Sequence, residues 1–367
     1  MPRPETFTDL IVRSVFSSPS AGITGLLFSP LAAASYLYQA AVALRQRGYQ
    51  RAVFSSRKLP VPVISVGNLT VGGTGKTPTT LFLARALHAQ GMKVAVLSRG
   101  YKGSASATVN VVSDGSQVIL RPEQSGDEPF LLAQHLPGIP VLTGKDRGRA
   151  GAYAIDRFSA DMLILDDGFQ HLSLHREVDI VCLDGQRPFG NGWMLPRGPL
   201  REGPWALSRA HLALITEAPL GAKQNRSELA SQVHIYHPSL PLFYGYYVPD
   251  TLITLSGQKT CAPADLEGKR VIALAGVARP RSFLRLLLLL GAEVVETVFY
   301  SDHYQYRCED LTWRSKNALV VTTEKDAVKL RALGVSEPEI WVLPVRLQVE
   351  QESRFLECLK KWLPSRR

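Results

Sequence analysis

Val66-Gly67-Asn68-Leu69-Thr70-Val71-Gly72-Gly73-Thr74-Gly75-Lys76-Thr77 is the stretch on which the reading of this chain turns. It follows an apolar β-branched run, Val61 to Val66, and opens a helical stretch, Thr77 to Gln90, so a glycine-rich turn joins a strand to a helix as in a P-loop. Gly72, Gly73 and Gly75 let backbone N–H groups close around phosphate oxygens at the positive end of that helix. Lys76 reaches the β- and γ-phosphates of ATP, and the Thr77 hydroxyl suits Mg²⁺. The expected nucleotide site is therefore Thr70, Val71, Gly72, Gly73, Thr74, Gly75, Lys76 and Thr77, with Thr70 standing where the P-loop pattern has its first glycine. A plain glycine-rich turn is the bland alternative, and the strand before it and the helix after it argue against that.

Working outward, short apolar runs alternate with helical stretches, the pattern of an α/β fold with a mostly parallel sheet flanked by helices. Val61 to Val66, Lys93 to Ser98, Met162 to Leu165, Val178 to Leu183 and His211 to Ile215 read as strands buried on both faces. A second helix is expected over Glu128 to His135. Polar sequence around Ala222 to Ser231 reads as the exit from this unit. A smaller α/β unit follows, with strands at Arg270 to Ala275, Glu293 to Phe299, Ala318 to Thr322 and Ile340 to Val345 and an apolar helix over Arg281 to Leu290. The expected division is an N-terminal membrane-associated helical segment (1–57), a P-loop core (58–225), a smaller α/β domain (226–350) and a basic C-terminal helix (351–367).

A chain of 367 residues, 45% hydrophobic and 20% charged, is an ordinary globular composition of about two domains. Cys182, Cys261, Cys308 and Cys358 show no short paired spacing, which excludes a zinc finger or a disulfide framework as an expectation. The net charge of +10 gathers at the ends: Arg3, Arg13, Arg45, Arg47, Arg51, Arg57 and Lys58 face only Glu5 and Asp9 in the first sixty residues, and Lys360, Lys361, Arg366 and Arg367 close the chain. No nucleic-acid-binding pattern accompanies that charge, so no nucleic-acid partner is expected. No obligate protein partner is inferred either.

Ser14 to Leu44 carries no charged residue. Pro19 and Pro30 interrupt it, and the unbroken part from Leu31 to Leu44 is too short for a span of ~20 residues. Two readings stay open on these residues: a helix lying in the membrane surface, with Tyr36 and Tyr38 at headgroup level and Arg45, Arg47 and Arg51 on anionic lipid, or a core helix with a basic end.

A P-loop also needs an acidic partner for the metal. Met162-Leu163-Ile164-Leu165 delivers Asp166-Asp167 to the carboxyl edge of the sheet, where open α/β folds bind ligands, although Asp-Asp-Gly is also a turn signal. With Ser98-Arg99-Gly100-Tyr101, Gly126-Asp127-Glu128-Pro129, Asp166-Asp167-Gly168-Phe169-Gln170-His171, Leu195-Pro196-Arg197-Gly198-Pro199-Leu200-Arg201-Glu202, Asp302-His303 and Thr322-Thr323-Glu324-Lys325-Asp326, the chain resembles the tetraacyldisaccharide 4'-kinases from about Phe28 to the last strand.

The resemblance implies transfer of the γ-phosphate of ATP, with Mg²⁺, to the 4'-hydroxyl of an acylated glucosamine disaccharide 1-phosphate in lipid A synthesis. It also implies a peripheral or monotopic place on the cytoplasmic face of the inner membrane. It assigns catalysis to Asp127, His303 and Lys76, and the metal neighbourhood to Thr77, Asp166, Asp167 and Glu202. Asn68, Arg99, Tyr101, Arg147, Gln170 and Arg201 are its substrate-facing residues. Asp127 and His303 lie 176 positions apart in different expected domains, so their pairing requires a closed cleft. Lys102 stands where this family commonly has glycine, Ser301 where it has proline and Tyr304 where it has a second histidine. A membrane-associated partition-type ATPase switch is the rival reading; it carries a signature lysine at the position of Val71.

Overall fold

The computed structural model describes residues 29–216, 226–302, 304–311, 317–334 and 339–364. The described residues start with helix α1 (Ser29–Gln50) and then build a nine-stranded sheet. Its strands are β1 (Val63–Asn68), β2 (Val94–Ser98), β3 (Asn110–Ser113), β4 (Val141–Thr143), β5 (Met162–Asp166), β6 (Val178–Asp184), β7 (Leu212–Thr216), β8 (Leu242–Pro249) and, from the far end of the chain, β15 (Val345–Val349). Helices α2 (Lys76–Ala89), α3 (Asp127–His135), α4 (Arg147–Phe158) and α5 (Arg226–His234) connect them. The order is β15-β8-β7-β6-β1-β5-β2-β4-β3, parallel except for the two edge strands.

Alternation along the central strands explains the burial on both faces. Ile64 and Val66, Val94 and Val96, and Met162 and Ile164 point to a core shared with Leu83, Leu87 and Leu132 from α2 and α3. Val63, Ala95, Leu97, Leu163 and Leu165 point to the opposite core with Ala150 and Ala154 of α4. A period of two with helices on each side leaves no polar face, hence the continuous apolar runs in the sequence.

The smaller sheet has the order β10-β9-β14-β13-β11-β12. It comprises β9 (Leu252–Thr254), β10 (Thr260–Cys261), β11 (Arg270–Ala275), β12 (Glu293–Phe299), β13 (Leu319–Thr323) and β14 (Ile340–Leu343), with helices α6 (Pro280–Leu289) and α7 (Glu324–Ala332).

Four expectations are corrected. The unit boundary drawn at residue 225 fails because β8 pairs in parallel with β7, so the large sheet runs on to Pro249. The single strand expected over Ile340 to Val345 is two strands, broken at Pro344, which has no N–H to continue a ladder; β14 stays in the small sheet and β15 returns to the large one. Two strands therefore join the units side by side, with Val345 opposite Pro249 and Asp250 N donating to Pro344 O at 2.9 Å. The C-terminal helix α8 (Glu352–Lys360) is no separate basic tail: Phe355 and Leu359 are fully buried, and the Phe355 ring meets Phe82 and Phe243 at 5.8 and 5.1 Å.

The fourth correction concerns α1, which lies against the large unit along Ser35, Tyr38, Val42, Arg45 and Gln46. Ser35 Oγ donates to Met194 O (2.8 Å), Tyr38 Oη to Arg201 O (3.1 Å) and Arg45 Nη2 to Gln170 O (3.2 Å). Tyr38 thus faces the protein rather than headgroups, and Arg45, though exposed, reaches across to Gln170. Pro30 starts this helix instead of breaking it, since the first turn needs no N–H donor there. The opposite face exposes Tyr36 (61%), Leu37 (74%) and Leu44 (71%). No helix among the described residues is long and apolar enough to cross a membrane. The part of the uncharged stretch before Ser29 lies outside the described residues.

Truncating Phe355 to alanine should cost about 3–5 kcal/mol of unfolding free energy in urea titrations, as for a core aromatic. A loss below about 1 kcal/mol would mean α8 is an appendage and not part of the main core.

Candidate active site

β1 ends in the middle of the sheet between β5 and β6, and its register sets Val66 beside Asp166. The glycine turn leaves β1 at this point and delivers Lys76 to the start of α2. Gly72 and Gly75 take φ of 99° and 81°, which a side chain would strain. At Gly75 space is lacking as well: a Cβ there would come within 2.5 Å of Tyr247 Oη and 2.9 Å of Thr216 Cγ2. The turn is pinned from beneath by Asn68 Nδ2 to Thr74 Oγ1 (2.7 Å) and Thr216 Oγ1 to Thr74 O (2.8 Å).

A cleft of about 1190 Å³ opens above the turn and between the units. Among the expected residues, Val71 to Thr77, Arg99, Tyr101, Asp127, Arg147, Asp166, Asp167, Gln170, Arg201 and Glu202 line it. Asn68 and Thr70 do not. Asn68 is fully buried under the turn, with its carbonyl accepting from Gln170 Nε2 (2.9 Å), and Thr70 is held in a bridge to Leu200. Both therefore brace the turn. His303 lies outside the described residues.

The two acidic residues after β5 differ in character. Asp166 is 1% exposed and accepts from Thr80 Oγ1 (2.9 Å); burial, then the negative charges of Glu128 and Asp167, push its carboxyl up to about 7. Burial also works to raise Asp167, but Lys76 and Arg201 outweigh it and hold it below the ordinary carboxylate range. Asp167 sits in the left-handed region (φ 54°), strained for a residue with a Cβ, and this turns its carboxylate toward Lys76 Nζ (3.7 Å) and Arg201 Nη1 (2.9 Å to both oxygens).

Glu202 stands apart from this pair. It is 2% exposed, ion-paired to Arg209 and 3.4 Å from Gln170 Nε2. Among the described residues no three His, Cys, Asp or Glu side chains group as a ready metal cage. Oxygens from Thr77, Asp166 and Asp167 still fit Mg²⁺, which is usually held by one or two carboxylates and by substrate phosphates. The buried Asp166 carboxylate, repelled by its neighbours, has an electrostatic deficit that a cation would relieve.

A basic wall faces these carboxylates. Arg147, at the start of α4 and 6% exposed, has a buried Nε without a hydrogen-bond partner and is crowded by Arg99. Burial, then Arg147 and Arg176, push His171 down to about 4, so it is neutral at physiological pH. An under-satisfied arginine beside a second one and a neutral imidazole is suited to an anionic group. Lys102 has φ 62°, a conformation that suits the glycine expected at this position.

Residues missed from sequence include Tyr38 and Arg45 of α1, Lys145, Tyr247, Arg279 and Lys325. Ala278 and Arg279 come from the smaller unit: Ala278 Cβ lies over Gly72 and Gly73, and Arg279 is ion-paired to Asp184 at the end of β6. A strand, a glycine (Gly276) and a proline at the first helical position (Pro280) were the legible signal of a helix start at this point.

The profile of the LpxK family, tetraacyldisaccharide-1-P 4'-kinase, matches residues 27–364. The chain is 44% identical over 346 residues to the tetraacyldisaccharide 4'-kinase of Syntrophus aciditrophicus, covering 89% of this chain and 91% of that one. It is 43% identical over 308 residues to that of Anaeromyxobacter dehalogenans, covering 82% and 81%. Among solved structures it is similar to LpxK from Aquifex aeolicus in complex with ATP, with a TM-score of 0.73 and 31% identity over 92% of this chain and all of that one.

Because the folded-state pKa of Asp166 is raised above the unfolded value of 3.8, the group contributes fully to stability below about 4, and that contribution is lost as pH rises through about 7. Asp166→Asn removes this titration. Without nucleotide or metal, its melting temperature relative to the parent should climb from about pH 4 to about 7 and level off above that; a pH-independent difference would contradict the assigned environment.

Proposed function

The chain belongs to the tetraacyldisaccharide-1-P 4'-kinase family, and from that premise we propose how its cleft carries out the family reaction. The protein is a phosphotransferase that uses ATP and acts on the 4'-hydroxyl of tetraacyldisaccharide 1-phosphate in lipid A synthesis. The observation that carries the residue assignment is that Lys76, the Asp166–Asp167 pair and Asp127 line one cleft although they come from three separate segments of the chain. The rival ATPase-switch reading shares the glycine turn but expects lysine where Val71 stands.

Backbone N–H groups of Gly72 to Thr77 and the Lys76 ammonium hold the β- and γ-phosphates. Thr77, Asp166 and Asp167 would hold Mg²⁺, which when bound spreads charge away from the phosphates. Glu202 acts one step removed, through Arg209 and Gln170. Asp127, in the first turn of α3, orients the 4'-hydroxyl and takes its proton as the oxygen attacks the γ-phosphorus. The bond from that phosphorus to the β–γ bridging oxygen breaks, and ADP leaves. His303 is assigned as the partner of Asp127 on the family resemblance. Arg99, Arg147 and Arg201, with Tyr101 and Gln170, face the disaccharide and its 1-phosphate; their forked donors match that chemistry. Most of the acceleration comes from positioning and charge neutralisation.

We also propose that the protein rests peripherally on an anionic, cytoplasm-facing membrane surface through the outer face of α1. Support comes from the exposed run Tyr36, Leu37 and Leu44 followed by Arg47 and Arg51, and from Tyr38 and Arg45 of the same helix lining the cleft. A lipid substrate leaving that surface would enter the cleft along α1.

Incubation with ATP and the acylated disaccharide 1-phosphate, followed by mass spectrometric location of the new phosphate at the 4' position, checks the reaction. Lys76→Ala and Asp127→Ala should each lower turnover by at least about a hundredfold in folded protein, the usual scale for a transition-state or general-base contact. Parent-like turnover in either variant would remove that residue from the mechanism. Leu37→Glu combined with Leu44→Glu should weaken sedimentation with anionic vesicles by about tenfold or more, each leucine forfeiting roughly 1.5–3 kcal/mol of burial. Undiminished sedimentation would place the membrane contact elsewhere.

A further inference from the structure

Lys325 occupies a poor position for a cation. It is the second residue of α7, where the helix macrodipole favours negative charge. Its surroundings across the cleft account for it. Nζ lies 2.6 Å from Oε1 of Glu128, in the first turn of α3 in the large unit. Burial works against the ammonium, but Glu128, then Asp302 and Asp166, outweigh it and lift Lys325 above the ordinary lysine range. Beside it, Glu324 Oε1 lies 2.7 Å from Nε2 of His135, at the other end of α3. The first turn of α7 therefore grips both ends of the helix whose first residue is Asp127.

That first turn is itself firmly held. Thr323 Oγ1 caps α7 by accepting from Asp326 N (3.3 Å) and donates to Asp326 Oδ2 (2.7 Å). The same carboxylate, fully buried, accepts from Gly276 N (2.9 Å), next to the Ala278 segment that overlies the glycine turn. Lys325 projects from an anchored base and donates to Glu128 on the other unit.

We infer that Lys325 is a positioning residue for phosphoryl transfer: its ion pair with Glu128 sets the first turn of α3, and with it Asp127, against the phosphate loop. The inference rests on the kinase reading above. Both side chains are about a third exposed, so the pair adds little to global stability, and its effect is on geometry.

The test uses the full-length protein, MgATP and the tetraacylated disaccharide 1-phosphate, with fluorescent ATP-analogue binding and thermal melts alongside. Lys325→Met should lower kcat by about a hundredfold, the scale of a reacting group misplaced by an ångström, and leave analogue binding nearly unchanged. Lys325→Arg should restore most of the turnover. The reversed pair Lys325→Glu with Glu128→Lys should exceed either single substitution by about tenfold, the signature of a coupled pair. A parent without transfer activity would remove the kinase reading itself. With an active parent, a Lys325→Met kcat within about threefold of it overturns the positioning role, as does a loss of analogue binding equal to the loss of kcat. A reversed pair no better than the singles overturns it too. Should Lys325→Met fail to fold, Glu128→Gln cuts the same ion pair and is judged by the same criteria.

Discussion

The ladder that sets Val66 of β1 beside Asp166 of β5 is the constraint on which the site depends. Parallel pairing makes both strands end at the same edge, so the phosphate turn and the acidic pair emerge together. A shift of one residue would turn every core side chain of β1 to the wrong face. Ile64 and Val66 on one side and Val63 on the other, all buried, hold the register in place. The chemistry at the edge is therefore secured by hydrophobic packing that itself touches no ligand.

Charge is concentrated at that edge to a degree the protein alone does not balance. Asp166 is buried among carboxylates, Arg147 has an unsatisfied Nε, and Asp167 is held in a strained backbone conformation between Lys76 and Arg201. Such features reduce the stability of the empty protein and are the kind that a bound nucleotide, cation and sugar phosphate offset. The oppositely charged walls also separate two tasks. On the proposed assignment, carboxylates and Lys76 would face the transferred phosphate, and the arginines beyond them the acceptor.

The two units meet through a paired connection instead of a single linker. β8 passes into β9 at Asp250 and β14 into β15 at Pro344, side by side, so the smaller unit is tied to the large sheet at one end of the cleft. At the cleft itself the units touch through polar contacts, the ion pairs of Glu128 with Lys325 and Asp184 with Arg279 and the contact of His135 with Glu324. Polar contacts of this kind can re-form around a ligand more readily than apolar packing, which suits a surface that must admit substrates.

Much of this was legible in the amino-acid order. The glycine turn, the apolar runs that became β1, β2, β5, β6 and β7, and the Asp166-Asp167 pair are local signals, because strand burial, backbone freedom and carboxylate placement depend on neighbours within a few residues. The family motifs pointed to Asp127, Arg99, Arg147 and Arg201, and all four line the cleft. Tertiary structure alone decided that Asn68 lies under the turn, that Glu202 is taken by Arg209, and that Tyr38 and Arg45 bond to the large unit. It also decided that the large sheet recaptures Val345 to Val349 and that Lys325 reaches Glu128. Each of these is a contact between segments far apart in the chain, and no local pattern of polarity records which distant partner a side chain will meet.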